Sequence, residues 1–164
     1  MKKLKSLTLL VIISLIITSC GSDEPSAGIS IDGKAFNVIS ASLLGVSISG
    51  EGHATISLTS ATSSGLTKTI SLDFEYAPTS PVSGNYSFPQ VGTDRFLDDW
   101  LTNYTEINIS GGGSVESTNL ESGKITVQDH GNDNYTVTMD LTMIDGTIIK
   151  GKYRGVFTVM FNNS

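Results

Sequence analysis

Apolar and polar residues alternate with a period of two along most of this chain, and this pattern restricts the fold more than any other feature. The clearest apolar rows are Ala54, Ile56 and Leu58, then Ile70, Leu72, Phe74 and Tyr76, then Tyr86 and Phe88. Such alternation places one face of a strand against a core and the other face in water. Abundant Gly, Ser and Thr favour strands joined by tight turns. The sequence predicts one all-β domain, an antiparallel β-sandwich of about nine short strands.

Apolar rows in the C-terminal third all occupy odd-numbered positions, and this parity predicts a register. Residues directly opposite each other in an antiparallel pair share a face, so odd positions must pair with odd ones. A two-residue loop would break this rule, whereas a three-residue loop of Ile144, Asp145 and Gly146, with Gly146 left-handed, preserves it. The predicted register places Leu141 opposite Ile149, Val137 opposite Tyr153, Asp140 opposite Lys150, and Tyr135 over Gly155.

One segment departs from the strand pattern. Between residues 93 and 104 the apolar side chains fall at helical spacing, and they are Phe96, Leu97, Trp100, Leu101 and Tyr104. This spacing is typical of one face of a short amphipathic helix. We therefore predict a short helix near 93–104 that crosses one end of the sandwich.

The first 19 residues have the layout of a secretory signal. Three lysines precede an apolar run over 7–17 that is about half the ~20 residues a membrane-spanning helix needs. The following Ile17-Thr18-Ser19-Cys20 resembles the bacterial lipobox, in which the cysteine receives lipid and becomes the first residue of the mature chain. The resemblance implies a signal peptide over 1–19 and lipidation of Cys20. Two or three acyl chains, palmitate among them, would make the attachment to the membrane stable.

Residues 20–27 are predicted to form a flexible acidic tether between the lipid and a β domain over 28–164. The run Ser22-Asp23-Glu24 resembles the acidic export signal of Bacteroidota lipoproteins, which implies display on the outer face of the outer membrane. A periplasm-facing position is the alternative. Cys20 is the single cysteine, so its lipidation would leave the domain without a disulfide or a catalytic thiol.

The charge of the mature chain excludes one class of partner. Three of the ten cationic residues precede Cys20, so seven remain against 16 acidic residues and the net charge is −9. An acidic domain repels phosphate backbones, so nucleic-acid binding is not expected. The charge also cannot hold the domain to an anionic membrane, so attachment would depend on the lipid.

Two groups of residues are candidate ligand contacts. Asp98, Asp99 and Trp100 place the single tryptophan beside carboxylates, an arrangement that can stack a sugar ring and bind its hydroxyls. We favour the alternative that Trp100 packs the predicted helix onto the core. The second group alternates along one strand face and could bind an anion, although such a row is more typical of a solvated face. Its members are Lys150, Lys152 and Arg154.

The sequence contains only weak matches to motifs for metal binding and for catalysis. The loop Asp129-His130-Gly131-Asn132-Asp133-Asn134 has oxygen ligands suited to calcium, but a glycine occupies a ligand position and turn chemistry explains the loop better. The two histidines, His53 and His130, could join a triad assembled in space, yet no Gly-x-Ser-x-Gly nucleophile elbow is present. We therefore expect no catalytic site, no metal and no cofactor.

The whole layout resembles the small envelope lipoproteins of Bacteroidota. These combine a lipid signal, a short acidic tether, an opening hairpin and a closing strand, for which this chain has Ile31-Asp32-Gly33-Lys34-Ala35-Phe36 and Ile149-Lys150-Gly151-Lys152-Tyr153-Arg154-Gly155. Some members of that group are described as sandwiches and others as calycin-like β-barrels, so a calycin-like barrel is the alternative fold.

Three functional hypotheses follow from this resemblance and from the residues. The leading one is a non-catalytic binding or structural module of the cell envelope, with a polysaccharide or protein partner at the cell surface. The alternative is a calycin-like barrel that binds a small apolar ligand in an apolar cavity of a few hundred Å³. The third is a glycan-active or ester-active hydrolase that uses His53 or His130.

Overall fold

The computed structural model describes residues 28–48, 51–77, 81–108, 110 and 113–163. The predicted signal peptide, Cys20 and the tether lie outside the described residues and remain predictions. Within the described ranges the chain is all-β, as the alternation predicts. A search of the same ranges for a helix long and apolar enough to cross a membrane found none.

Twelve strands form in the described part of the chain, where the sequence predicted about nine. They are β1 (Ile29–Ile31), β2 (Lys34–Phe36), β3 (Ser40–Ile48), β4 (Glu51–Ala61), β5 (Leu66–Tyr76), β6 (Gly84–Phe88), β7 (Arg95–Phe96), β8 (Asn103–Asn108), β9 (Ser114–Asp129), β10 (Asn134–Met143), β11 (Ile148–Val156) and β12 (Thr158–Asn163). The opening hairpin of β1 and β2 was predicted from the sequence, whereas β7 lies in the segment that was predicted to be a helix.

These strands join one mixed sheet. Its main path runs β12-β3-β4-β5-β8-β9-β10-β11-β1-β2, with β6 paired to β9 and β7 paired to β6. Neighbours are antiparallel except for β12 with β3 and β6 with β7, which are parallel. The 16-residue β9 links two halves of the sheet, because residues 114–119 pair with β8 and residues 120–129 pair with β10.

The core consists of the apolar rows that alternate along the strands. Ile56, Leu72 and Phe74 are fully buried, whereas the intervening Thr55 is half-buried and Glu75 is exposed. One continuous cluster of buried apolar side chains contains residues of both halves of the sheet. Phe74 of β5 and Tyr86 of β6 lie within it, with ring centroids 4.3 Å apart.

The β10–β11 hairpin has the predicted register. Its pairs include Leu141 with Ile149, Val137 with Tyr153, and Asp140 with Lys150. The three-residue loop is also confirmed. The Met143 N–H donates to the Thr147 carbonyl at 2.9 Å, and Gly146 has a φ of +87°, in the left-handed region.

Gly155 lies opposite Tyr135 as predicted, but a different ring covers it. A Cβ built on Gly155 would lie 2.5 Å from the hydroxyl oxygen of Tyr153, on the same strand. The Tyr135 ring instead packs edge-on against Phe157, with centroids 5.4 Å apart. Side chains lean along a strand, so a ring two residues away can fill a gap that register alone assigns to the opposite residue.

The predicted helix near 93–104 is wrong. Residues 95–96 form β7, Leu97 makes an isolated antiparallel bridge with Phe74, residues 98–102 turn, and β8 begins at Asn103. We call residues 97–102 the β7–β8 connection.

The connection is not helical because its backbone groups bond to neighbouring strands. The Leu97 N–H donates to the Ser87 carbonyl at 3.2 Å, and the Asp98 N–H donates to the Asp73 carbonyl at 2.8 Å. A bond of helical spacing, from the Thr102 N–H to the Asp98 carbonyl at 3.1 Å, closes a single turn. Bonds to β5 and β6 therefore satisfy groups that a helix would pair internally.

Candidate functional site

The outer face of β4 and β5 carries a row of polar side chains near the end of the two strands. The register pairs His53 with Glu75 and Thr55 with Asp73, all on the face opposite to the core row. Asp73 is nevertheless only 4% exposed, because the β7–β8 connection runs along β5 and covers it. The fold therefore buries one carboxylate beneath an irregular segment.

Side chains and backbone groups surround Asp73. His53 Nδ1 lies 3.2 Å from Asp73 Oδ1, and the Thr55 hydroxyl donates to Asp73 Oδ2 at 2.5 Å. The Asp73 N–H donates to the Thr102 hydroxyl at 3.0 Å, and that hydroxyl donates to the Asp73 carbonyl at 3.3 Å. These contacts hold the Asp73 carboxylate in one orientation, with Oδ1 next to the imidazole of His53.

Asp98 brings a second carboxylate to the same place. One ligand atom from each of His53, Asp73 and Asp98 lies within 4.8 Å of the other two. Asp98 Oδ1 accepts from the N–H groups of Trp100 (2.9 Å) and Leu101 (2.7 Å), which fixes the carboxylate at the start of the turn. We call His53, Asp73 and Asp98 the His–Asp cluster. The residue types and spacing are compatible with a divalent cation.

A cleft of about 500 Å³ opens beside the His–Asp cluster. Its lining combines both signs of charge with aromatic rings and comprises Gly52, His53, Glu75, Tyr76, Ala77, Gln90, Arg95 and Phe96. Arg95 donates to the hydroxyl oxygen of Tyr86 at 3.2 Å. Burial raises the pKa of Tyr86, an effect that the nearby guanidinium partly offsets. A concave surface with this lining suits a polar ligand that has a flat face.

Trp100 is the most exposed feature of the β7–β8 connection. Its side chain is 77% exposed, so the favoured prediction that it packs onto the core is wrong. Leu97 of the connection and Tyr104 of β8 are buried instead. Residues 97–102 run along β5 instead of forming a helix. Side chains at helical spacing therefore do not share a face. Asp98 and Asp99 are both half-buried.

The cationic row on β11 faces solvent and the neighbouring strand. Lys150 and Arg154 are exposed and Lys152 is half-buried. The Lys150 ammonium lies 3.2 Å from Asp140 Oδ1, as the register predicts. Lys152 is opposite Thr138. This row does not approach a described cluster of groups that would complete an anion site.

The loop predicted as a weak calcium candidate is explained by its turns. Asp129 Oδ1 accepts from the Gly131 N–H at 2.7 Å, and Asn132 and Asp133 both adopt positive φ. His130 Nε2 lies 2.8 Å from the Thr136 hydroxyl within the same hairpin. Local hydrogen bonds therefore engage Asp129 and His130, whereas Asn134 Oδ1 is buried without a hydrogen-bond partner among the described residues.

Sequence reasoning identified His53, Asp98 and Trp100 separately but missed the buried Asp73. The signal that could have found it is parity. His53, Thr55, Asp73 and Glu75 all occupy the polar positions of adjacent alternating rows, so a tight β4–β5 pairing would place them on one face. No sequence pattern predicts that Asp98 lies close to Asp73, because this contact depends on a turn that does not repeat along the chain.

Comparisons of the chain with family models, with curated proteins and with solved structures found no match.

Proposed function

We propose that this chain is a lipid-anchored lipoprotein of the bacterial envelope, and that its β domain is a non-catalytic module that binds polysaccharide. The binding surface would be the 500 Å³ cleft together with the turn that carries Trp100. The anchor would be lipid on Cys20, with the domain on the outer face of the outer membrane. No cofactor is needed for this function.

The single observation that carries the binding proposal is the display of Trp100. An indole left 77% exposed presents a flat apolar face with a polar edge, which is the surface that a sugar ring can stack on. The turn beneath it is fixed by Asp98 and by a hydrogen bond from the Asn119 side chain to the Trp100 carbonyl at 3.1 Å. A turn whose backbone is held in advance loses little entropy when a sugar stacks on its indole. The half-buried Asp99 beside it would accept hydrogen bonds from sugar hydroxyls.

We further propose that the two halves of the sheet pack face to face as a sandwich rather than as a calycin-like barrel with an apolar cavity. The buried Phe74 and Tyr86 rings, 4.3 Å apart, support a filled interior. The lining of the cleft by His53, Glu75 and Arg95 also favours a polar ligand over an apolar one. A hydrophobic dye taken up stoichiometrically by the native domain would contradict this proposal.

Binding is tested with the full-length protein in detergent and soluble cell-envelope polysaccharides, by affinity electrophoresis. Trp100→Ala is expected to weaken binding at least about fivefold, the loss of ~1 kcal/mol of stacking, and Trp100→Phe to retain part of it. The matched control is Val156→Ala, which removes an exposed apolar side chain from β11. Equal binding by Trp100→Ala and the control would contradict the proposal.

The anchor and its side of the membrane are tested on cells. Cys20→Ala is expected to abolish incorporation of labelled palmitate and to release the domain from the membrane. Protease added to intact cells is expected to digest the wild-type domain while a periplasmic control protein survives. Protection until the outer membrane is opened would place the domain on the periplasmic side instead.

A hydrolase is the second candidate, and one observation favours it. His53 lines the cleft with its ring 47% exposed, and the buried Asp73 holds Nδ1, which is how a general base is oriented. Hydrolysis of a glycan or an ester by the native protein, lost in His53→Ala and kept in His130→Ala, would establish this function. Equal hydrolysis by both variants would exclude a role for His53.

A further inference from the structure

We propose that His53, Asp73 and Asp98 form a binding site for a divalent transition-metal ion of the zinc type. This site goes beyond the proposed polysaccharide binding, because it uses side chains beneath the Trp100 turn and requires no ligand in the cleft.

Asp73 places a carboxylate where little solvent reaches it. An ionised carboxylate that is 4% exposed needs a cation or a full set of hydrogen bonds. Within the described residues the Asp73 carboxylate has two side-chain partners, His53 Nδ1 and the Thr55 hydroxyl, and neither a lysine nor an arginine is among them. Asp98 adds a second carboxylate within 4.8 Å, so two like charges approach each other around one imidazole. A divalent cation would neutralise both.

The geometry matches the small coordination sphere of such an ion. Zinc binds nitrogen and oxygen at about 2.0–2.2 Å, so neighbouring ligand atoms in a tetrahedral site lie about 3.3 Å apart. His53 Nδ1 and Asp73 Oδ1 are already 3.2 Å apart. All three atoms lie within 4.8 Å of one another, so the Asp98 carboxylate must approach the other two ligands by up to about 1.5 Å to complete the set. Three protein ligands leave a fourth position open to solvent.

The two carboxylates are also oriented by a second layer of hydrogen bonds, as metal ligands usually are. The Thr55 hydroxyl donates to Asp73 Oδ2, leaving Oδ1 directed to His53. Two backbone N–H groups donate to Asp98 Oδ1, and the carboxylate keeps free lone pairs. The 47% exposure of the His53 side chain leaves a path from solvent to the cluster.

The donor set indicates the class of ion. One imidazole nitrogen and two carboxylate oxygens suit zinc and its first-row neighbours better than calcium, which prefers six to eight oxygen ligands. Two negative ligands with a neutral imidazole balance the charge of a divalent ion.

The site is tested by titrating Zn²⁺ into the full-length protein, purified in detergent without a histidine tag, by isothermal titration calorimetry. Wild type is expected to bind one ion. Asp98→Asn, which can still accept from the turn N–H groups, and His53→Gln are expected to weaken binding at least about tenfold. Asp94→Asn and His130→Gln are the matched controls, one a nearby carboxylate earlier in the chain and one the other histidine, and both should bind as wild type does.

A second readout on the wild type does not depend on the folding of any variant. In the protein labelled with ¹⁵N-histidine, Zn²⁺ is expected to shift the Nδ1 resonance of His53 to a metal-bound value and to leave His130 unchanged. A His53 Nδ1 that keeps its proton in the presence of Zn²⁺ would overturn the proposal and leave a histidine–carboxylate hydrogen bond. One-to-one binding that the controls weaken as much as Asp98→Asn does would also overturn it, by placing the ion elsewhere.

Discussion

The β10–β11 hairpin and the β7–β8 connection differ in the kind of interaction that holds them in place. The hairpin is a continuous ladder from the Asn134–Val156 pair to the Thr142–Ile148 pair, with one face in the core. The connection has a single bridge, and individual hydrogen bonds hold the rest of it, such as those from the Leu97 and Asp98 N–H groups to the Ser87 and Asp73 carbonyls. Repeating interactions therefore stabilise the first region, and individual hydrogen bonds stabilise the second.

This difference explains where the candidate chemistry lies. In a β-ladder the backbone groups pair with the neighbouring strand and successive side chains point to opposite faces. Few polar groups therefore converge on one point. The connection breaks the repeat, and in doing so it brings Asp98 to Asp73 and leaves Trp100 in solvent. Binding residues on irregular segments that a rigid sheet positions are a common arrangement.

The largest effect that separates the two regions is expected from leucine truncation. Leu141 in the hairpin is 1% exposed, so Leu141→Ala should lower the free energy of unfolding by about 2–5 kcal/mol. Leu101 in the connection is 48% exposed, so Leu101→Ala should change it by less than about 0.5 kcal/mol. Urea unfolding measures both. A large loss with Leu101→Ala would mean that the connection packs its apolar residues as a helix does.

A smaller effect is expected where a single hydrogen bond replaces a ladder. Thr102 is fully buried and its hydroxyl accepts from the Asp73 N–H, so Thr102→Val should lower the free energy of unfolding by about 1–3 kcal/mol. The control Thr138→Val changes an exposed threonine of β10 and should stay within about 0.5 kcal/mol of wild type. If both variants unfold at the same urea concentration, the buried hydroxyl is not what holds the connection.

Glu106 on β8, the strand that follows the connection, should contribute to the dependence of stability on pH. Burial alone would raise the pKa of Glu106, but hydrogen bonds from Lys68 (2.7 Å) and Tyr104 outweigh it and hold the pKa below its usual range. A lowered folded-state pKa contributes stability above the unfolded value, about 4.3, which is lost as the pH falls through the folded value. Glu106→Gln should therefore remove a loss of up to about 1 kcal/mol from the acid side of the stability curve.

The control for that experiment is Lys68→Gln, which removes the cation that pairs with Glu106 and should reduce the acid-side loss in the same way. Thermal unfolding at a series of pH values measures both variants. Acid loss that is identical in wild type and Glu106→Gln would show that the Lys68–Glu106 pair does not contribute.

The smallest effect is expected from the ion pair on the hairpin surface. Asp140 and Lys150 are each about half exposed, so their coupling should be about 0.2–1 kcal/mol and should shrink in salt. A double-mutant cycle with Asp140→Ala and Lys150→Ala measures this coupling. A coupling that does not change between low and high salt would mean that the two side chains interact through packing and not through charge.

The predictability of the fold follows from the same contrast. The all-β class, the hairpin register and its three-residue loop were predictable, because a period of two and the parity of Leu141 and Ile149 permit few pairings. The joining of all the strands in one sheet through β9 was not, because the partners of a long strand depend on contacts distant in sequence. The same holds for the parallel placement of β12 on β3.

The candidate site was predictable only in its parts. The residue types of Trp100 and Asp98 made them candidate ligand contacts. The helical spacing of the surrounding apolar residues nevertheless predicted that Trp100 is buried, because periodicity assumes that the segment forms hydrogen bonds within itself. The segment instead bonds to β5 and β6, so its apolar residues divide between core and solvent. By its sequence pattern Asp73 is an ordinary outward-facing strand residue. Only the structure shows that the β7–β8 connection covers it.

The most direct test of the central claim, that the β7–β8 connection displays its tryptophan instead of packing it, is collisional quenching of Trp100 fluorescence by acrylamide. The chain contains one tryptophan, so the signal has a single source. We expect the quenching constant of the native full-length protein to approach that of the same protein unfolded in urea. A severalfold lower constant in the native state, lost on unfolding, would mean that Trp100 packs against the core and would remove the binding surface proposed for this protein.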